Sequence, residues 1–175
     1  MRGQGLGQIV FSEEQIKQRI EEIAQAINQD YQGMKLVIVC VLKGAIYFVA
    51  DLTRQLTMPL SMDFLSIGVS HDQNGKNSVV KFTKDLDISI TGQNVLLVED
   101  VVGTGFTLGY IYQHLESYQP ASLKICTLLD SPDERLLTLP ITYRCFIKPD
   151  TFVVGYGLDY KQQYRNLPYI AEYRR

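Results

Sequence analysis

Two adjacent acids, Glu99 and Asp100, close the apolar run Val95 to Val98. Val101-Val102 follows, and then Gly103-Thr104-Gly105-Phe106-Thr107. Ionised carboxylates only accept hydrogen bonds, so such a pair suits the hydroxyls of a vicinal diol or a divalent cation. Behind the acids, Thr104 to Thr107 offer successive backbone N–H groups and two hydroxyls, while Gly103 and Gly105 let the backbone approach a ligand closely. A helix opening here would add its first N–H groups and its dipole, both of which favour an anion. Together these residue types allow one chemistry, the holding of a sugar phosphate with hydroxyls on the acids and phosphate on the loop. Without the loop, the two acids read equally well as a solvent-facing pair at a strand end.

That chemistry requires a strand before the acids and a helix after the loop. Val95 to Val98 are β-branched or leucine without alternation, the pattern of a strand buried on both faces of a parallel sheet. Leu108, Ile111, Tyr112 and Leu115 recur at helical spacing. A second strand-loop-helix unit precedes it: the apolar Lys35 to Leu42, the loop Lys43-Gly44-Ala45, then a helix carrying Ala45, Val49, Leu52 and Leu56 that ends before Met58-Pro59. Upstream, Ser12-Glu13-Glu14-Gln15 is a capping box opening a helix striped by Ile16, Ile20, Ile23 and Ile27. Further strands are predicted at Leu60–Ile67, Val79–Thr83, Leu123–Leu129, Ile141–Ile147 and Phe152–Tyr156. Between the first two of these, Gly68 to Ser78 with Asn74-Gly75 is either a hairpin tip or a lid. The glycine-rich start, Met1 to Gln8, and the aromatic, basic tail Tyr160 to Arg175 receive no element. Strands alternating with helices predict an α/β fold with a mainly parallel sheet, whose ligands bind outside the carboxyl ends of the strands.

A chain of 175 residues suits a single domain, 1–175, with a substantial core. A net charge of -2 with 21% charged residues gives neither the basic surface that nucleic acid needs nor an acidic disordered tail, so small molecules are the expected partners. Cys40, Cys126 and Cys145 are odd in number and lack metal-ligand spacing, which predicts reduced core thiols in a cytoplasmic protein. No run approaches the roughly 18 apolar residues of a membrane span, so no membrane association is expected.

The stretch from Glu99 to Thr107 resembles the phosphoribosyl pyrophosphate motif of type I phosphoribosyltransferases, and the chain from Ser12 to about Ile170 is similar to the hypoxanthine-guanine members of that family. Leu42-Lys43-Gly44 resembles the family's pyrophosphate loop and Lys84-Asp85-Leu86-Asp87 its approach to the central strand. Phe152 to Tyr160 resembles its purine and metal segment, and Arg165-Asn166-Leu167-Pro168-Tyr169 its tail. The resemblance implies the type I phosphoribosyltransferase fold, a central mainly parallel sheet flanked by helices, with a small hood and a flexible lid loop. It implies transfer of phosphoribosyl from phosphoribosyl pyrophosphate to hypoxanthine or guanine, with Mg2+, in a homodimer or homotetramer. The products are a nucleoside monophosphate and pyrophosphate. The implied catalytic pair is Glu99 and Asp100; Gly103, Thr104, Gly105, Phe106 and Thr107 bind the phosphoribosyl group; Leu42, Lys43, Gly44, Arg135 and Arg165 meet the pyrophosphate. Phe152, Val153 and Asp159 form the purine side, and Glu99, Asp100 and Asp159 are the metal ligands.

Three positions depart from the family pattern. Gly103 stands where an aspartate accepts a proton from the purine, and Ser131 stands where a lysine meets the 6-oxo group, with Lys148 and Lys124 as alternative cations. Val69-Ser70 replaces a Ser-Tyr pair in the lid. Loss of a positioned proton acceptor removes roughly 10² to 10⁴ in rate. The expectation is therefore a transferase with weakened catalysis, or alternatively an impaired homologue that binds purine nucleotide or phosphoribosyl pyrophosphate in a regulatory role. An aspartate restored at 103 is expected to raise turnover if proton transfer limits the rate.

Overall fold

The computed structural model describes residues 5–71 and 78–174. Its larger sheet is built on the continuous apolar runs. Strands β2 (Leu36–Leu42), β5 (Asn94–Val102) and β6 (Ser122–Asp130) occupy the interior, flanked by β3 (Leu60–His71) and β4 (Ser78–Lys84) on one side and β7 (Ile141–Ile147) on the other. The order is β4-β3-β2-β5-β6-β7, parallel throughout except for β4, which runs antiparallel to β3. Runs without polar alternation are required because both faces are covered. Along β2, Leu36, Ile38 and Cys40 enter one core layer while Val37, Val39 and Val41 enter the other; in β5, Leu96 and Val98 oppose Val95 and Leu97 in the same way.

Helices α1 (Glu13–Asp30) and α2 (Ile46–Thr53) fill the first layer, and α3 (Phe106–Ser117) fills the second. The Ser12 capping box forms in full: Ser12 Oγ accepts from Gln15 N and the Gln15 side chain accepts from Ser12 N. The isoleucine stripe of α1 is buried as predicted, and each such side chain contributes about 1.5–3 kcal/mol relative to exposure.

A second, three-stranded antiparallel sheet lies outside the main one in the order β1-β9-β8, built from β1 (Gly5–Phe11), β8 (Val153–Val154) and β9 (Ile170–Arg174). It corresponds to the expected hood. Two of its strands arise where no element is predicted, in the glycine-rich start and in the tail. The predicted strand Phe152–Tyr156 shortens to Val153–Val154 because Gly155, Tyr156 and Gly157 all take positive φ and turn the chain. The presumed loop from Gly68 is also shorter than expected: β3 continues to His71, which pairs with Ser78. The segment 72–77, with Asn74-Gly75, lies outside the described residues.

Candidate active site

Strands β2 and β5 are neighbours, yet the chain leaves β2 toward β3 on one side and continues from β5 to β6 on the other. This divergence creates a crevice at the carboxyl edge of the sheet, the position at which parallel α/β folds bind ligands. The loops after the two strands face each other there across a cavity of about 440 Å3, lined by Leu42, Lys43 and Gly44 from the first and by Gly103, Thr104, Gly105 and Thr107 from the second. Glu99 and Asp100 also line it, with Asp159 and Arg165 contributed by the segment after β8. Residues predicted from four separate stretches thus converge on one cavity of a size ordinary for small-molecule sites.

Close backbone approaches hold these stretches together. A β-carbon on Gly44 would coincide with the Asp100 carboxylate, and one on Gly157 would collide with the Gly44 carbonyl. The peptide between Leu42 and Lys43 is cis. Arg165 continues the chain of contacts: its Nη1 donates to the Gly157 carbonyl at 2.7 Å and its Nη2 pairs with Asp159 Oδ1 at 2.7 Å. Asp159 Oδ2 accepts from Gln162 N at 2.7 Å.

The two acids differ in environment. Glu99 is buried, and desolvation, reinforced by the adjacent Asp100 charge, pushes its carboxyl well above the usual range. Its Oε1 accepts from Asp100 N at 3.1 Å, while Asp100 Oδ1 accepts from Val101 N at 2.7 Å. A buried carboxylate beside a second one is the environment that a cation stabilises. Mg2+ ordinarily takes one or two carboxylates and leaves the remainder of its shell to water and phosphate oxygens. The donor set therefore fits magnesium arriving with a phosphorylated ligand, and no cluster of three or more candidate metal ligands occurs among the described residues.

The phosphate loop has the form its glycines allow. Gly105 is left-handed, φ 88°, and caps α3, whose first turn opens at Phe106. The segment after β6 packs against this loop: Leu136 N donates to the Thr104 carbonyl at 3.0 Å, and Leu139 lies 3.2 Å from where a Gly105 β-carbon would stand. Thr104 and Thr107 line the cavity, whereas Phe106 is 57% exposed and does not.

Besides Phe106, three predicted residues are not brought to the cavity wall. Arg135 is tied to Asp130, whose other oxygen takes Arg144 at 3.0 Å. Asp130 is 2% exposed, and a charge so buried must be paired, which explains why the guanidinium is directed there. Val153 is buried within β8, and the Phe152 ring meets Tyr160 and Tyr173 edge-on at 6.0 and 6.4 Å.

Two supporting residues escape the sequence reading. Asp63 on β3 is buried and accepts from Asp87 N and Ile88 N at 2.7 and 3.0 Å, and from Lys84 Nζ at 3.3 Å. It thereby anchors the Lys84–Asp87 segment that leads into β5. Glu134, in a 3-10 turn (Pro132–Glu134) after β6, places Oε2 3.3 Å from the point where a Gly103 side chain would begin. Its Oε1 accepts from Lys148 Nζ at 3.3 Å. Lys124 is at the opposite end of β6, paired with Asp30 at 3.0 Å, so of the two alternative cations only Lys148 is near Gly103. Neither residue carries a local motif; the signal is spatial.

Residues 9–161 match the phosphoribosyl transferase domain family. A hypoxanthine-guanine phosphoribosyltransferase of Mycobacterium tuberculosis is 42% identical over 169 residues, covering 93% of this chain and 84% of that one. A hypoxanthine phosphoribosyltransferase of Haemophilus influenzae is 41% identical, covering 94% of this chain and 93% of its own. Among solved structures, a hypoxanthine-guanine phosphoribosyltransferase from Bacillus anthracis superposes with a TM-score of 0.89 at 41% identity, over 97% of this chain and 99% of the other.

Proposed function

The chain belongs to the hypoxanthine-guanine phosphoribosyltransferase family, and from that premise we propose that it transfers the 5-phosphoribosyl group of phosphoribosyl pyrophosphate to hypoxanthine or guanine, yielding IMP or GMP and pyrophosphate. The observation that carries this reading is the convergence of the loops after β2 and β5 on one cavity with Glu99 and Asp100 between them. Thr104 to Thr107 hold the 5'-phosphate through hydroxyls and the first N–H groups of α3. Glu99 and Asp100 take the ribose hydroxyls, and their negative charge stabilises the positive charge that develops on the ribosyl carbon as the pyrophosphate departs. Lys43, with the Leu42 and Gly44 backbone, and Arg165 meet the pyrophosphate. Phe152 and the Val153 backbone contact the purine.

Glu99 and Asp100 would hold one magnesium and Asp159 a second facing the pyrophosphate, which would supply neutralisation of the phosphate charge. Arg135 is assigned no ligand contact, since its guanidinium is held by the buried Asp130 carboxylate.

Gly103 and Ser131 favour a second reading, a binding homologue without turnover. The two are separated by measuring nucleoside monophosphate formation from hypoxanthine, guanine, xanthine and adenine with Mg2+, in parallel with GMP binding. Formation of IMP or GMP is expected; tight GMP binding with no turnover on any base would overturn the enzymatic reading.

A further inference from the structure

Ribosyl transfer to a purine cannot be completed without a proton acceptor. A neutral purine carries one hydrogen on its imidazole ring. When N9 bonds to the ribosyl carbon, the carbon–oxygen bond to pyrophosphate breaks with its electron pair leaving on pyrophosphate, and the purine is left with one proton too many at N7. Gly103, on the cavity wall, has no side chain to receive it. Yet the space that a side chain at 103 would fill is not open: the Glu134 carboxylate, which does not itself line the cavity, stands beside it with Oε2 3.3 Å from the missing β-carbon.

We propose that Glu134 is the catalytic proton acceptor of this enzyme, delivered from the turn after β6 into the space that Gly103 leaves free, with Lys148 as its positioning partner. The inference rests on the transferase reading above. Three features support it. The turn is anchored where it must be, because Ser131 N donates to the Val102 carbonyl at 2.9 Å and Glu134 N to the Ser131 carbonyl at 3.1 Å, so Glu134 is tied to Gly103 through Ser131 and Val102. Lys148 Nζ lies 3.3 Å from Glu134 Oε1 and donates to the Pro149 carbonyl at 3.0 Å, which leaves Oε2 as the carboxylate oxygen directed toward Gly103. The Glu134 side chain is also 52% exposed, so its proton passes on to water after each turnover. As N9–C1' forms and the pyrophosphate bond breaks, the N7 proton moves to Glu134 and the purine leaves as a neutral nucleotide base. Gly103 is thus the opening through which a neighbouring acid works, and an added carboxylate there would crowd and repel Glu134.

Initial rates with hypoxanthine and guanine, with GMP affinity measured alongside, test the assignment. Glu134→Gln is expected to lower kcat by about 100-fold, the lower end for loss of a positioned acid–base group, with the KM for phosphoribosyl pyrophosphate and the GMP affinity unchanged. Gly103→Asp alone gives no gain, whereas Gly103→Asp in the Glu134→Gln background recovers at least tenfold. As a second measure independent of that double variant, formate added to Glu134→Ala raises its rate and leaves the unsubstituted enzyme unaffected. Lys148→Met lowers kcat without changing the donor KM, and Lys148→Arg restores it. A Glu134→Gln enzyme with full kcat, or recovery in neither rescue, would overturn the assignment while leaving the transferase reading intact. A parent protein inactive on every base would instead remove both.

Discussion

Gly44 and Asp100 are in mutual contact across the cavity floor, the glycine α-carbon standing where any larger residue would displace the carboxylate. The loop proposed to meet the pyrophosphate and the acid proposed to meet the ribose therefore constrain each other. Gly44→Ala is expected to displace Asp100 and lower kcat/KM by at least 100-fold, while overpacking costs about 1–3 kcal/mol of stability. Steady-state rates and a urea titration check both; full activity in Gly44→Ala would show that Asp100 is free to move.

The buried Glu99 predicts a pH-dependent stability. Its folded-state affinity for a proton is raised above the ordinary value of 4.5, chiefly by burial and then by Asp100. The folded chain therefore holds a proton that the unfolded chain releases. The stabilising contribution is complete below 4.5 and is lost as pH rises from there through the raised folded value. Urea midpoints without ligand should fall across that window relative to Glu99→Gln, which removes the titration. A flat difference between the two proteins would contradict it. Binding of Mg2+ with phosphoribosyl pyrophosphate, which needs the ionised form, should strengthen across the same window.

The three cysteines are predicted to be inert in the folded protein. Burial pushes the Cys40 and Cys145 thiols up to about 12, with Glu99 and Asp100 adding to the effect at Cys40, and it raises Cys126 well above its ordinary value. Since the thiolate is the reacting form, an aromatic disulfide reagent at pH 8 should label less than one thiol per chain within an hour, and three after denaturation. Rapid labelling of Cys40 in the native protein would mean that the sheet opens beneath the two acids.

Much of this site is legible without a structure because it is local. Glu99 and Asp100 follow an unmistakable buried strand, and the glycines and threonines after them spell out a phosphate loop within a few residues. The capping box of α1 is equally local. The hood is not: β1 alternates glycine with mixed side chains, and its partner β9 lies at the other end of the chain, so nothing near Gly5 announces the pairing. Arg135 fails to reach the cavity because the buried Asp130 competes for it, a competition decided by burial and not by spacing. Glu134 is hidden for the opposite reason, since its relation to Gly103 exists only in the direction of a β-carbon that is absent.

The position of β9 between β1 and β8 sets an order of events at the ribosome. Domains assemble as synthesis proceeds, at about 5–20 residues per second, and the main sheet can close once β7 has emerged. The strands on either side of β9 must wait for its five residues, Ile170–Arg174, the last described stretch of the chain. Until then β8, which begins one residue after Phe152, has no strand partner among the described residues. The small sheet is thus completed only after every strand of the large one has been made.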